Sequence, residues 1–151
     1  MKGIYTLVFI IERPLRIKIG KLGIKFFKKG IYAYVGSGLG KGSFSMLGRI
    51  ERHLKRKKKM FWHIDYLLSH KCVKIIEVFY AKTNFKIECI LNKEIEKTFK
   101  GKIPIKGFGS SDCNCKAHLI WLGNIGIIKQ VRMLMKKAYA NAGLKIIKTI
   151  K

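Results

Sequence analysis

The chain has 151 residues, 48% of them hydrophobic, which suits one domain with a buried core, expected to span residues 1–151. Its 33 Lys and Arg against 8 Asp and Glu give a formal charge of +25, a self-repulsion that a polyanionic partner relieves. A thermophile-like surface of matched ion pairs is excluded by the missing Glu, and no apolar run is long enough to span a bilayer. The expected partner is nucleic acid, with an anionic membrane surface far behind. Residues 1–11 lack the basic start and small-residue cleavage site of a signal peptide, so a cytoplasmic location is expected. In that compartment Cys72, Cys89, Cys113 and Cys115 read as thiols more readily than as a disulfide framework.

Residues 3–11 are an apolar, β-branched run closed by Glu12-Arg13-Pro14, where proline interrupts a strand. Residues 16–19 alternate basic and apolar, residues 20–23 carry two glycines of a turn, and residues 24–27 resume the apolar pattern. A second turn at Lys28-Lys29-Gly30 leads into a strand over 31–36, so that up to four strands form an antiparallel meander. Alternation puts Tyr5, Leu7 and Phe9 on one face and Tyr32 and Tyr34 on one face, so Tyr5 and Tyr34 converge if their strands are neighbours.

The Gly/Ser-rich stretch 37–43 precedes a helix over 46–59, with Ser43 as its N-cap. On that helix Leu47, Ile50 and Leu54 form an apolar stripe, while Arg49, Arg52, His53 and Arg56 form a basic stripe suited to phosphates. Residues 55–59 add five consecutive basic side chains, among them Lys57, Lys58 and Lys59. A short helix or turn is expected at 61–68, a strand at 73–81, and a helix at 85–99 with Asn84 as cap and Ile87, Ile90, Leu91 and Ile95 inward. Residues 101–115 read as loop, 118–122 as a strand, 127–142 as an amphipathic helix ended by Gly143, and 144–150 as a strand or basic tail.

Gly3-Ile4-Tyr5, then Tyr34-Val35-Gly36, then Leu47-x-Arg49-Ile50 on the following helix, resemble the GIY-YIG nuclease superfamily. The run Tyr32–Ser37, Arg49-x-x-Arg52-His53, Trp62–Tyr66 and Gly107–Cys115 is similar to an uncharacterised, mainly archaeal GIY-YIG-like family whose domain also occurs fused to endonuclease III. The resemblance implies an α/β (α+β) fold, a small mainly antiparallel sheet with helices packed on it. The longer spacing between the two tyrosine motifs leaves room for an inserted hairpin.

The resemblance also implies metal-dependent phosphodiester hydrolysis, in DNA during repair or recombination more than in RNA. Tyr5 is then the general base or the orienter of the attacking water, and Tyr34 holds the water and phosphate network beside it. Arg49 neutralises the developing charge, and His53 stands where members carry Tyr or His. Glu88 is the candidate ligand for Mg²⁺ or Mn²⁺, with Glu77 as rival. Arg52, Arg56, Lys57, Lys58 and Lys59 track the backbone.

Each residue has a plainer reading: a strand tyrosine packs a core, a basic helix face is solvated, and a first-turn Glu suits the helix dipole. His63 and Asp65 either line the cleft or, with Trp62 and Tyr66 as core, leave Asp65 to pair with an Arg of the preceding helix. Ser111 and Asp112 either lie near the cleft or cap backbone amides in a turn. Cys113-x-Cys115-x-x-His118, with Cys72 or Cys89, is the set zinc would need, but Cys-x-Cys is tighter than the usual structural pair and zinc is not expected. The alternative to an enzyme is a non-catalytic, basic DNA- or RNA-binding protein that retains the fold.

Overall fold

A computed structural model of the chain describes residues 2–55, 58–109 and 116–150. Among them, five antiparallel strands form one sheet in the order β6-β4-β1-β5-β7. These are β1 (Gly3–Ile11), β4 (Gly30–Gly38), β5 (Val73–Lys82), β6 (Leu119–Gly123) and β7 (Lys148–Ile150). The strands β2 (Leu15–Lys18) and β3 (Ile24–Phe27) pair only with each other. The four-strand meander is therefore corrected: β1 pairs directly with β4, and the segment between them leaves the sheet as a separate hairpin. Pro14 explains the departure, since it ends β1 and cannot donate to a continuing ladder.

Helices cover both faces of the sheet. On one face Tyr5, Leu7, Phe9, Tyr32 and Tyr34 pack against α1 (Met46–Leu54), α2 (His63–Leu68) and the hairpin. On the other, Ile4, Val8, Ala33 and Val35 pack against α3 (Glu88–Phe99) and α4 (Val131–Asn141). This is the alternation expected of strands buried on both sides. Leu7 stands opposite Tyr34 and Tyr5 opposite Gly36, which puts the two tyrosines side by side on one face.

Several element boundaries differ from expectation. The N-cap of α1 is Ser45, whose hydroxyl accepts from Gly48 N at 3.1 Å, rather than Ser43. Helix α1 ends at Leu54, because Lys58 folds back and its ammonium donates to the His53 carbonyl at 2.7 Å, closing the C-terminus. Helix α3 begins at Glu88 and not at 85, with Ile87 as N-cap, and Ile90 is exposed. A 3-10 stretch at Ile125–Gln130 takes the start of the expected last helix, and Gly143 at φ 77° ends α4.

Beneath the second face, the buried Tyr139 hydroxyl is 2.7 Å from the Thr6 hydroxyl and 3.3 Å from the Phe79 carbonyl, locking α4 to the two central strands. Replacing Tyr139 by Phe should leave the Thr6 hydroxyl without this partner in a sealed core, lowering stability in urea unfolding by about 1–3 kcal/mol. An unchanged midpoint would show that this contact does not hold α4.

Candidate active site

The site is built around a close approach that only glycine permits. A Cβ on Gly36 would lie 2.5 Å from the Tyr5 ring, so the ring crosses β4 at that position. Gly109, at φ 71°, brings backbone to the Tyr34 ring in the same way, where a Cβ would stand 2.9 Å from it. The glycine of the second tyrosine motif is thus a packing requirement of the first motif.

Tyr5, Tyr34, Ser37, Arg49, His63 and Glu88 line one cavity of about 300 Å³, although they come from β1, β4, α1, α2 and α3. Glu88 reaches it because Asn92 donates from Nδ2 to the Ala117 carbonyl at 2.6 Å, tying the first turns of α3 to the segment before β6. Glu77, the rival acid, is instead held by Arg132 from α4 at 2.9 Å and does not line the cavity.

Arg49 carries the most telling electrostatics. Its Nη1 donates to the Ser37 carbonyl at 2.7 Å, while its Nε is buried without a hydrogen-bond partner among the described residues. Among those residues neither Arg49 nor Glu88 has an ion pair. A guanidinium with a spare donor and no acid beside it is matched to an oxyanion.

Arg52, one turn on, is the contrast. Its two terminal nitrogens each lie 2.9 Å from an oxygen of the fully buried Asp65. Asp65 also accepts from the amides of Phe61 at 2.9 Å and Trp62 at 2.8 Å. Burial pushes the Asp65 carboxyl up, but Arg52 and these amides outweigh it and hold it below its ordinary value. Of the two readings left open for Asp65, the structure shows the pairing with an α1 arginine; Asp65 does not line the cavity. Arg52 and Lys58 both make internal bonds and are half-buried, while Lys59 is exposed.

His53 is a second correction. The helical pattern puts it on a solvent-facing basic stripe, yet it is buried, and Leu47 and Leu54 are exposed in its place. Its Nε2 is 2.8 Å from the Tyr5 hydroxyl, and its Nδ1 is buried without a partner among the described residues. Burial lowers its value to about 3, so the ring is neutral at physiological pH. The same burial, with Tyr34 beside it, pushes the Tyr5 phenol well above its ordinary value against the pull of Arg49. His53 touches Tyr5 and does not itself line the cavity.

His63 accepts from Gly109 N at 2.9 Å through Nδ1, which leaves the proton of the neutral ring on Nε2. Burial lowers its value too. His118, Phe61 and Trp62 also line the cavity, and sequence reasoning gave none of them that place. His118 figured only as a zinc ligand; its Nε2 lies 3.8 Å from the Cys89 sulfur. Cys72 is a free buried thiol, whereas Cys89 is disulfide-bonded, so the expectation of thiols throughout fails at Cys89. Arg56, Lys57, Ser111, Asp112, Cys113 and Cys115 lie outside the described residues. Among the described residues no helix is long and apolar enough to cross a membrane.

The profile of a family described as a domain of unknown function, DUF123, matches residues 4–140, and the chain belongs to that family. The match takes in the strands and helices that line the cavity. No curated protein and no solved structure matches the chain.

The buried neutral His53 makes stability depend on pH in a definite direction. Its folded value lies below the ordinary 6.5, so the unfolded chain binds more protons as pH falls. Its contribution is present above 6.5 and is lost progressively below it. Urea unfolding should show wild type weakening from about pH 6.5 to about pH 4, with a flatter profile for His53→Gln, which keeps an acceptor for Tyr5 but does not titrate. His63 leaves a residual slope in the variant. Parallel profiles would contradict the burial of a neutral His53.

Proposed function

We propose that this protein is a metal-dependent endonuclease of GIY-YIG type, hydrolysing phosphodiester bonds in nucleic acid, DNA before RNA. The observation that carries the reading is the meeting of Tyr5, Tyr34, Arg49 and Glu88 around one cavity, with an arginine that no carboxylate neutralises among the described residues. The motif order supports it, and so does the charge of +25, which favours a polyanion.

A single carboxylate fits a hard divalent cation of the Mg²⁺ type, which takes one or two protein carboxylates and completes its shell with water and substrate phosphate. Glu88 would hold that cation, which when bound supplies positive charge against the scissile phosphate. The chain's own residues do the rest. In the tautomer that carries its proton on Nδ1, His53 Nε2 accepts a hydrogen bond from the Tyr5 hydroxyl, which leaves the phenol oxygen free to accept from a water and aim it. The raised value of Tyr5 favours this orienting role over a phenolate base. Water oxygen bonds to phosphorus, the ester oxygen leaves with the electron pair and takes a proton from solvent, and the attacking water's proton passes to solvent. Arg49 offers a planar fork to the phosphoryl oxygens as negative charge builds on them.

Supercoiled plasmid, branched DNA and RNA incubated with Mg²⁺ or Mn²⁺ test the reading. Wild type should cut at least one of them, and Glu88→Gln should lose the metal-dependent cutting while retaining binding. Arg49→Ala should slow cutting by about a hundredfold or more, and Arg49→Lys should restore little, since an ammonium lacks the fork. Tyr5→Phe should slow it more than Tyr32→Phe, because the Tyr32 hydroxyl donates to the Lys28 carbonyl at 2.6 Å, outside this cavity. Binding without cutting under every metal condition would leave the non-catalytic alternative, and normal cutting by Glu88→Gln would refute the metal assignment.

A further inference from the structure

The hairpin between the two tyrosine motifs has an outer face that its own packing does not explain. Across β2 and β3, Arg16 stands opposite Phe26 and Lys18 opposite Ile24, so each cross-strand pair joins a cation to an apolar side chain on one face. All four are exposed, Phe26 at 72% and Ile24 at 49%. The inner face is accounted for, since Leu15 and Phe27 are buried in the core. From residue 12 to residue 30 there are seven basic side chains and one acid, Glu12, which is itself paired with Lys74 at 3.0 Å.

Beside Phe26 the hairpin shelters a second cavity, about 540 Å³, walled by Pro14, Phe26, Phe27, Tyr32 and Pro104 with Arg16 at its edge. Its walls are mostly apolar rings and its rim is basic. That pairing of chemistries fits a flat aromatic heterocycle attached to a phosphate. Aromatic side chains within a cationic surface are how proteins hold single-stranded nucleic acid, each base stacking on a ring while cations follow the backbone.

This cavity is a neighbour of the candidate active site. Tyr32 walls one and Tyr34 the other, on the same face of β4 about 7 Å apart along the strand. Phe108 lies between them, with ring centroids 6.2 Å from Phe27 and 6.3 Å from Tyr34. One fully buried ring thus separates the two cavities, and a strand that spans them passes over it.

We propose that the cavity walled by Phe26 and Tyr32 holds an unpaired nucleobase, with Arg16 and Lys18 against the phosphates of the same strand. The proposal rests on the nucleic-acid reading of the adjoining cavity and adds the substrate class: a strand with at least one base out of the duplex stack. The unpaired base docks at the hairpin, and the backbone runs on past Phe108 toward Arg49.

Fluorescence anisotropy in chelator, where no cutting occurs, reads this binding alone. Labelled single strand, fully paired duplex and the same duplex with one bulged base are each titrated with wild type, Phe26→Ala, Phe26→Leu and Phe26→Trp. Phe26 is exposed, so these variants should keep the wild-type circular dichroism and melting temperature. Phe26→Ala should weaken single strand and bulged duplex by about tenfold, within the range of base–aromatic stacking, and weaken paired duplex by less than about twofold. Phe26→Trp should bind like wild type, and Phe26→Leu like Phe26→Ala. Equal losses on paired and unpaired substrates, or no loss on any, would overturn the proposal. Light scattering that shows a dimer dissolved by Phe26→Ala would also overturn it, by assigning the face to a second copy of the chain. Because the readout is binding in chelator, a protein that never cuts can still pass, and intact cutting without a Phe26 effect sinks this proposal alone.

Discussion

The carboxylate of Asp65 organises the region above the cavity, because it has to be satisfied. Fully buried, it would be very costly unpaired, and it collects both terminal nitrogens of Arg52 and the amides of Phe61 and Trp62. These bonds join the last turn of α1 to the first turn of α2. They fix the backbone from which Phe61, Trp62 and His63 line the cavity. They also separate two arginines one turn apart on the same helix. Arg52 has its acid, while Arg49 has a carbonyl, a Trp62 ring centred 5.4 Å away and a buried Nε with no partner among the described residues. A half-buried cation whose Nε is in that condition favours an incoming anion, since binding one removes a cost already present in the free protein.

The second constraint lies inside the sheet. Tyr5 crosses Gly36, receives His53 on its hydroxyl and sits beside Tyr34 in the core cluster of that face. Burial keeps the phenol protonated and the imidazole neutral, so the pair is a hydrogen-bond relay without net charge. In a molecule carrying +25, that neutrality leaves Arg49 and Glu88 as the formally charged side chains in the cavity's described lining.

Most of the sheet was legible because β-branched, apolar runs broken by Gly and Pro are strong local signals. The facing of Tyr5 and Tyr34 followed from alternation on the condition that their strands were neighbours, which the β1–β4 pairing meets. Long-range satisfaction was not legible. His53 scores as polar in any periodic pattern, and only the Tyr5 hydroxyl waiting in the core makes its burial tolerable. Leu47 and Leu54 look like core for the same reason that His53 does not. The early end of α1 was hidden because Lys58, read as one more surface cation, turns back to cap the helix. Arg49 and Arg52 have the same chemistry in sequence, and only the fold shows which of them meets Asp65. His118, Phe61 and Trp62 reach the cavity through loop geometry, for which a sequence carries no periodic signal.

We infer that Glu88 and Arg49, which line one cavity and have no ion pair among the described residues, form a cation site beside an anion site. Titration of the metal-free protein with Mn²⁺, followed by the electron paramagnetic resonance signal of the free ion, tests it directly. Wild type should bind Mn²⁺ at a site that Glu88→Gln abolishes, and Arg49→Ala should retain that site with equal or higher affinity, because a neighbouring positive charge has been removed. Mn²⁺ binding that is identical in wild type and Glu88→Gln would rule out a cation site at Glu88.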